Sequence, residues 1–259
     1  MQITIMQRDI VWAVPAENIK RATAAMSNIP ADTDLIVLPE MFSTGFATEP
    51  DGIAESDNGS TLAWMKLTAK ERNCAVAGSI AVQTSYTDSS PSGTFFHNRF
   101  YFVKPDGNVS FYDKHHLFTY GGEHLRYSAG EKRVIVEWRG VRFMLLVCYD
   151  LRFPMWNRNH EDYDAAIYVA SWPTRRIGAW QTLLHARAIE NQCYVLGVNR
   201  IGNDPACEYC GGSVIIDPYG NDIATCMLDT ECEATAIIDM EALQAFRKKF
   251  PVLKDQDHL

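Results

Sequence analysis

Two stretches of this chain carry the same letters in the same order. Ala63-Trp64 leads to Cys74, Val76 and Gly78 at alternate positions, and Ala179-Trp180 leads to Cys193, Val195 and Gly197. Pro105-Asp106-Gly107-Asn108 is answered by Pro218-Tyr219-Gly220-Asn221, both of a composition that turns a hairpin. A recurring unit presents the same apolar face twice, which restricts how the chain can bury itself.

The element order recurs too. The first half reads as a strand over Ile3 to Met6, a helix over Ala16 to Ser27 opened by Pro15, and a strand over Asp34 to Pro39. A helix over Thr61 to Arg72, a strand over Cys74 to Val82 and a hairpin over Phe96 to Tyr112 complete it. The second half reads as a strand over Val141 to Val147, a helix over Pro154 to His160 and a strand over Ala165 to Ala170. A helix over Ala179 to Gln192, a strand over Cys193 to Asn199, a strand pair and a closing strand over Ala234 to Met240 follow. Each half is thus a β-α-β-α-β-β unit that cannot cover its own sheet. Stacked sheet on sheet with helices outside, the two predict an α/β, four-layer α-β-β-α sandwich. No low-complexity linker divides them, so residues 1–259 read as a single domain.

The chemistry concentrates where strands end. In VRFMLLVCYDLRFP, five apolar residues from Phe143 to Val147 run into Cys148. A continuous apolar run fits a strand covered on both faces, and carboxyl-terminal strand ends are where open α/β sheets place ligands. Glu40 similarly follows the strand DLIVLP, and Lys114 follows the hairpin. A thiol attacks as thiolate, so Cys148 needs a base or a nearby cation. Glu40 could take its proton and Lys114 could stabilise the charge. The segment from Asp113 to Gly130 is long and irregular, which inside a compact domain points to function.

Composition removes several classes. With 24 Lys and Arg against 32 Asp and Glu, the formal charge is −8, which disfavours nucleic acid or an anionic membrane as partner. No window approaches 18 uninterrupted apolar residues and the amino terminus lacks a signal-peptide pattern, so cytoplasm is the default expectation. Seven cysteines suit reduced thiols. Cys207, Cys210, Cys226 and Cys232 form a loose zinc-like spacing whose second pair is too wide for a knuckle, and no metal is expected there. His115-His116 is read as one ring facing the site and one facing out. No G-x-S-x-G, H-E-x-x-H or G-x-G-x-x-G motif is present.

The segments LPEMFSTGF, DKHHLF, GGEH, VCYDLRFP and HARAIENQCYV together resemble the nitrilase, or carbon–nitrogen hydrolase, superfamily, within it the ω-amidase branch. The likeness spans nearly the whole chain and implies the four-layer sandwich with a Glu-Lys-Cys triad. On that resemblance Glu40 is the general base, Lys114 the cationic stabiliser, Cys148 the nucleophile and Glu123 a second glutamate that orients Lys114 or the substrate. Lys114 and the backbone N–H of Tyr149 are the natural oxyanion donors. No cofactor is implied, and the partner is a small amide. Homodimers or larger homo-oligomers occur in the family.

The ω-amidase likeness implies a 2-oxo dicarboxylate monoamide, whose far carboxylate needs a cation. Arg175 and Arg176 follow the strand Ala165 to Ala170 and precede a helix, on the same edge as Cys148. Phe42, Phe118 and Trp172 are candidates for an apolar wall, whereas Trp64 and Trp180 read as packing. The competing readings are a nitrilase, an aliphatic amidase, a carbamoyl hydrolase, or a non-catalytic interaction protein on the same fold.

Overall fold

In the computed structural model, which describes residues 1–85 and 93–257, the chain opens with β1 (Gln2–Gln7), buried almost throughout. It continues through α1 (Pro15–Ala25), β2 (Leu35–Val37), β3 (Glu55–Ser56), α2 (Ser60–Arg72), β4 (Ala75–Thr84), β5 (Phe95–Val103) and β6 (Val109–Asp113). The second half supplies β7 (Ile135–Trp138), β8 (Val141–Val147), α3 (Pro154–Asn157), β9 (Ala165–Ala170), α4 (Ile177–Asn191) and β10 (Tyr194–Asn199). Then come β11 (Ile201–Asn203), β12 (Glu208–Cys210), β13 (Val214–Ile216), β14 (Asp222–Thr225), β15 (Cys232–Ile237) and α5 (Met240–Lys249).

The first sheet has the order β15-β1-β2-β4-β5-β6, with β3 against β4, and the second has β14-β13-β10-β9-β8-β7. In each, three parallel strands are followed by an antiparallel pair, and the first parallel strand carries an antiparallel edge partner. The halves differ in where that partner comes from. β7 directly precedes β8, whereas β15 arrives from the far end of the chain to pair with β1. The expected strand over Ala234 to Met240 therefore closes the first sheet, and Met240 begins α5 instead of ending the strand.

Side-chain alternation explains the continuous apolar runs. Phe143, Leu145 and Val147 of β8 face inward and meet Ile5, Val37, Phe100 and Phe102 of the other sheet, with Phe102 and Phe143 rings 5.8 Å apart. Met144 and Leu146 face outward, beneath Trp180, Leu184 and Ala188 of α4. On the opposite side Ile36 and Val76 pack under Leu62, Met65 and Ala69 of α2. These are the four layers, helix, sheet, sheet, helix.

The repeated letters mark repeated geometry. α2 and α4 both end on a left-handed residue, Asn73 and Gln192, which turns the chain into Cys74 and Cys193 at 0% exposure. Both hairpin turns close with the same bonds, Gly107 N–H to the Lys104 carbonyl at 3.0 Å and Gly220 N–H to that of Asp217 at 2.9 Å. At Gly197 a Cβ would collide with Leu184, so the glycine lets α4 lie close on the sheet. The helix expected over Pro154 to His160 is shorter, ending at Asn157. Asn157 donates to the Asp150 carbonyl, and Asn159 instead binds the Tyr163 and Asn191 carbonyls.

Candidate active site

Four strand ends converge at the seam between the sheets. Glu40 stands three residues beyond β2 and Lys114 directly follows β6, both from the first sheet. Cys148 directly follows β8 and Ser171 directly follows β9, from the second. The expected strand-end placement holds in both halves, and the site needs both.

Lys114 has no exposed surface and lies between two equally buried carboxylates, 3.0 Å from Glu40 Oε1 and 2.9 Å from Glu123 Oε2. Burial alone would lower the Lys114 ammonium, but Glu123 and then Glu40 override it and hold the group above its usual range. Asn98 Nδ2 donates to Glu40 at 2.7 Å and to Glu123 at 3.2 Å, and its own Oδ1 accepts from Ser79 Oγ at 2.9 Å. The Ser171 N–H reaches across the seam to Glu40 Oε2 at 2.7 Å. Glu123 also accepts from the Phe118 N–H at 2.6 Å, which ties the irregular loop to the charge cluster. Two carboxylates and one ammonium leave an excess negative charge. Burial pushes Glu123 above the usual carboxylate range; Lys114 opposes that rise and Glu40 adds to it.

Cys148 sits in the left-handed region at φ 44°, which for a residue with a Cβ costs about 1–3 kcal/mol. Asp150, two residues on, holds the turn. It accepts from the Val147 N–H at 2.9 Å, Tyr112 OH at 2.8 Å, the His116 N–H at 3.0 Å and His116 Nδ1 at 2.9 Å. The first N–H groups of a short helix have no intrahelical acceptor, which leaves the Tyr149 N–H beside the thiol available. Burial and Glu40 push the Cys148 thiol well above its ordinary value, with Lys114 pulling the other way.

A cavity of about 340 Å³ opens on this cluster, lined among others by Glu40, Cys148, Tyr149, Ser171, Phe118, Trp172, Arg175 and Arg176. Lys114 and Glu123 stand behind Glu40, out of the lining. Phe42 is also absent from it. Its ring rests where Gly78 lacks a Cβ and 5.8 Å from Trp64, inside the helix-covered layer. The chain turns at Met41, at φ 44°, and the wall position falls to Phe46, whose ring lies 5.1 Å from Lys114 Nζ. The two histidines do not split as expected. His115 stacks on Trp156 and His116 on Phe153, each at 3.7 Å, so both brace the segment after Cys148 and neither lines the cavity.

Sequence reasoning did not single out Asp150, Asn98, Arg152 or the β11–β12 hairpin. Asn98 had a signal, a lone amide in the aromatic run FFHNRFYF on the face shared with Phe96, Phe100 and Phe102. The hairpin carries Asp204, Pro205, Ala206 and Cys207 to the cavity, held by Tyr209 OH to Asp204 at 2.5 Å and by Arg200 binding the Ile201, Ile10 and Asn203 carbonyls. That puts Cys207 in the cavity wall. Cys226 and Cys232 instead lie against each other across the β14–β15 turn, where burial and then Cys232 push the Cys226 thiol up. Among the described residues no group of three or more His, Cys, Asp or Glu is placed to hold a metal ion.

Comparison with known proteins agrees with this geometry. The carbon-nitrogen hydrolase family model matches residues 2–248. Omega-amidase YafV of Escherichia coli is 47% identical over 99% of this chain and 97% of its own length. A 2-oxoglutaramate amidase of Bacillus subtilis is 37% identical over 98% and 96%. The crystal structure of a CN-hydrolase superfamily protein of Xanthomonas campestris, with an arsenic adduct in its active site, superposes with a TM-score of 0.93. It is 39% identical and covers 100% of this chain and 98% of that one. With the sandwich, the seam and these relatives in agreement, the chain belongs to the carbon–nitrogen hydrolase family.

Proposed function

We propose that the protein is an ω-amidase that hydrolyses the side-chain amide of 2-oxo dicarboxylate monoamides, such as 2-oxoglutaramate and 2-oxosuccinamate, through a cysteine thioester. The observation that carries this reading is the placement of Glu40 and Cys148 on one cavity wall with Lys114 and Glu123 behind them. Relatives at 47% and 37% identity bear the names omega-amidase and 2-oxoglutaramate amidase.

Burial and then Glu40 hold the Cys148 thiol well above its ordinary value, with Lys114 opposing the rise. Activation therefore comes at the moment of attack, with Glu40 taking the proton as sulfur closes on the amide carbon. The Tyr149 N–H and Lys114 receive the oxyanion, and losing one such donor costs about 100–1,000-fold in rate. Protonated Glu40 then delivers its proton to the leaving nitrogen, ammonia departs, and water activated by Glu40 cleaves the thioester. Glu123 orients Lys114, and Asn98 keeps the two carboxylates apart. Phe118 and Trp172 hold the short carbon chain, and Arg175 and Arg176 give the mouth a positive field. No cofactor enters the scheme.

Residues 1–259 act in this reading as one catalytic domain, supported by an inter-sheet core drawn from both halves. Among the described residues no helix is long and apolar enough to cross a membrane. A cytoplasmic homodimer or larger homo-oligomer belongs to the same proposal. The exposed rings of Tyr219 and Phe250 beside Phe246 offer an apolar face for self-association. Ammonia release from a panel of oxo-acid monoamides, neutral amides, nitriles and carbamoyl amino acids tests the activity. Greatest kcat/KM on the oxo-acid monoamides supports the proposal, and preference for a nitrile or a carbamoyl substrate overturns it.

A further inference from the structure

Two of the seven cysteines touch each other, and the acyl-transfer scheme uses neither. Cys226 directly follows β14 at the edge of the second sheet, and Cys232 opens β15 at the edge of the first. We infer that Cys226 and Cys232 form a modification site, a dithiol that a hydroperoxide oxidises to a disulfide stapling the two sheets together. The inference is independent of which amide the cavity takes.

One buried glutamine brings the two backbones together. Cys232 is the cross-strand partner of Gln7 on β1. The Gln7 side chain crosses toward the second sheet, where its Oε1 accepts from the Ser213 N–H at 3.0 Å. The Ser213 carbonyl in turn accepts from the Cys226 N–H at 2.9 Å. Gln7 Nε2 donates to the Met227 and Thr230 carbonyls at 2.7 and 2.9 Å, so the loop between the cysteines closes on the same side chain. At Gly211 a Cβ would collide with the Gln7 amide, so that glycine makes room for the arrangement. Both thiols end in the inter-sheet core. Cys226 is 5% exposed within it, and the half-buried Cys232 packs against it. A disulfide requires side chains that converge, and two thiols already in contact meet that condition.

Exposure sets the order of events. Cys232 keeps part of its surface in solvent while Cys226 has almost none, so a peroxide meets Cys232 first. Arg8 stands beside both sulfurs and favours a thiolate there, and Glu231 and Glu233 pair with it. The Cys232 thiolate attacks one peroxide oxygen, the O–O bond breaks, and the departing oxygen takes a proton and leaves as water or an alcohol. The Cys226 sulfur gives up its proton and attacks the resulting sulfenic acid. The S–O bond breaks, the oxygen leaves as water, and the S–S bond is made. Two thiols are oxidised and one peroxide bond is reduced. Cys74 and Cys193, at 0% exposure, lack the solvent-facing sulfur that starts this sequence.

The test treats the full-length protein with a few equivalents of hydrogen peroxide and blocks the remaining thiols with an alkylator. Digestion without reductant by a glutamate-specific protease then cuts after Glu231, between the two cysteines. Two peptides joined through Cys226 and Cys232, released by dithiothreitol, are the expected product. Cys226→Ser should stop at the sulfenic acid, which dimedone traps on Cys232. In a Cys148→Ala background, closing the loop from Cys226 to Cys232 should raise the unfolding midpoint by about 3–6 °C, reversed by dithiothreitol. Free Cys226 and Cys232 after the cavity cysteines Cys148 and Cys207 have reacted would overturn the inference. So would oxidation of Cys232 without the joined peptides, linkage of either cysteine to another residue, or an oxidised protein no more stable than the reduced one.

Discussion

Removing the Lys114 ammonium while keeping its volume, as in Lys114→Met, should destabilise the fold in a pH-dependent way. In the parent the group is fully buried between Glu40 at 3.0 Å and Glu123 at 2.9 Å, and Asn98 touches both carboxylates. Deleting one partner of a buried charge pair costs about 3–5 kcal/mol when the other charge remains. Here two carboxylates would remain with only Asn98 and the Ser171 and Phe118 N–H groups for compensation. The variant can relieve this by binding a proton, so its folded-state carboxyl pKa rises above the unfolded value of about 4.3. The folded state then binds more protons than the unfolded one, and stability falls as pH rises through that interval, by up to about 1.4 kcal/mol per pH unit per proton. The Lys114 contribution in the parent is fully present below its unfolded pKa of about 10.4, so it does not vary between pH 5 and 8. Urea unfolding of both proteins at pH 5 and pH 8 measures the difference. The variant should lose about 3–5 kcal/mol at pH 8 and clearly less at pH 5. An equal loss at both values, or a loss under about 1 kcal/mol at pH 8, would refute the charge argument.

Glu123→Gln should cost less stability than Lys114→Met, because it removes the excess negative charge that burial penalises and leaves the Lys114–Glu40 pair balanced. Its amide cannot accept from Lys114, Asn98 and the Phe118 N–H together, so unfolding should shift by about 1–3 kcal/mol, while kcat drops by about 100-fold as Lys114 loses its orienting partner. Asp150→Asn should destabilise by about 1–3 kcal/mol, since an amide cannot accept every donor now aimed at that carboxylate, and kcat should fall with the loosened Cys148 turn. Cys207→Ser with Cys210→Ser should leave the metal content at background by elemental analysis. About one zinc per chain, lost in that pair, would contradict the separation of the four cysteines.

Much of the fold was legible because its signals are local and doubled. The apolar run before Cys148, the Pro-x-Gly-Asn turns and the Cys-x-Val-x-Gly strands each specify an element, and their recurrence specifies the stacking. What escaped depended on partners distant in sequence. β15 reads as a strand from its own letters, but its pairing with β1 is settled only by which sheet edge is open. The β11–β12 hairpin has no alternating apolar pattern and is held by Arg200, a buried cation clasping backbone carbonyls. Strand-end logic singled out Glu40, Lys114 and Cys148, and the structure brings these three side chains together at the seam. Phe42 misled because a single left-handed residue, Met41, reverses which layer the next side chain enters. Asp150 was overlooked because a carboxylate after a turn is usually solvated, and only burial beside Tyr112 and His116 reveals its task.

The claim on which the rest depends is that Cys148 carries the acyl group. Acid-quenching the enzyme during turnover of 2-oxoglutaramate and measuring intact mass, followed by peptide mapping, addresses it directly. A covalent increment equal to the oxo-acid less the elements of water, confined to the peptide containing Cys148 and absent in Cys148→Ala, is the expected result. Folded Cys148→Ala protein that still releases ammonia at a rate near the parent's, or an acyl group mapped to Cys207 or any other residue, would contradict the account.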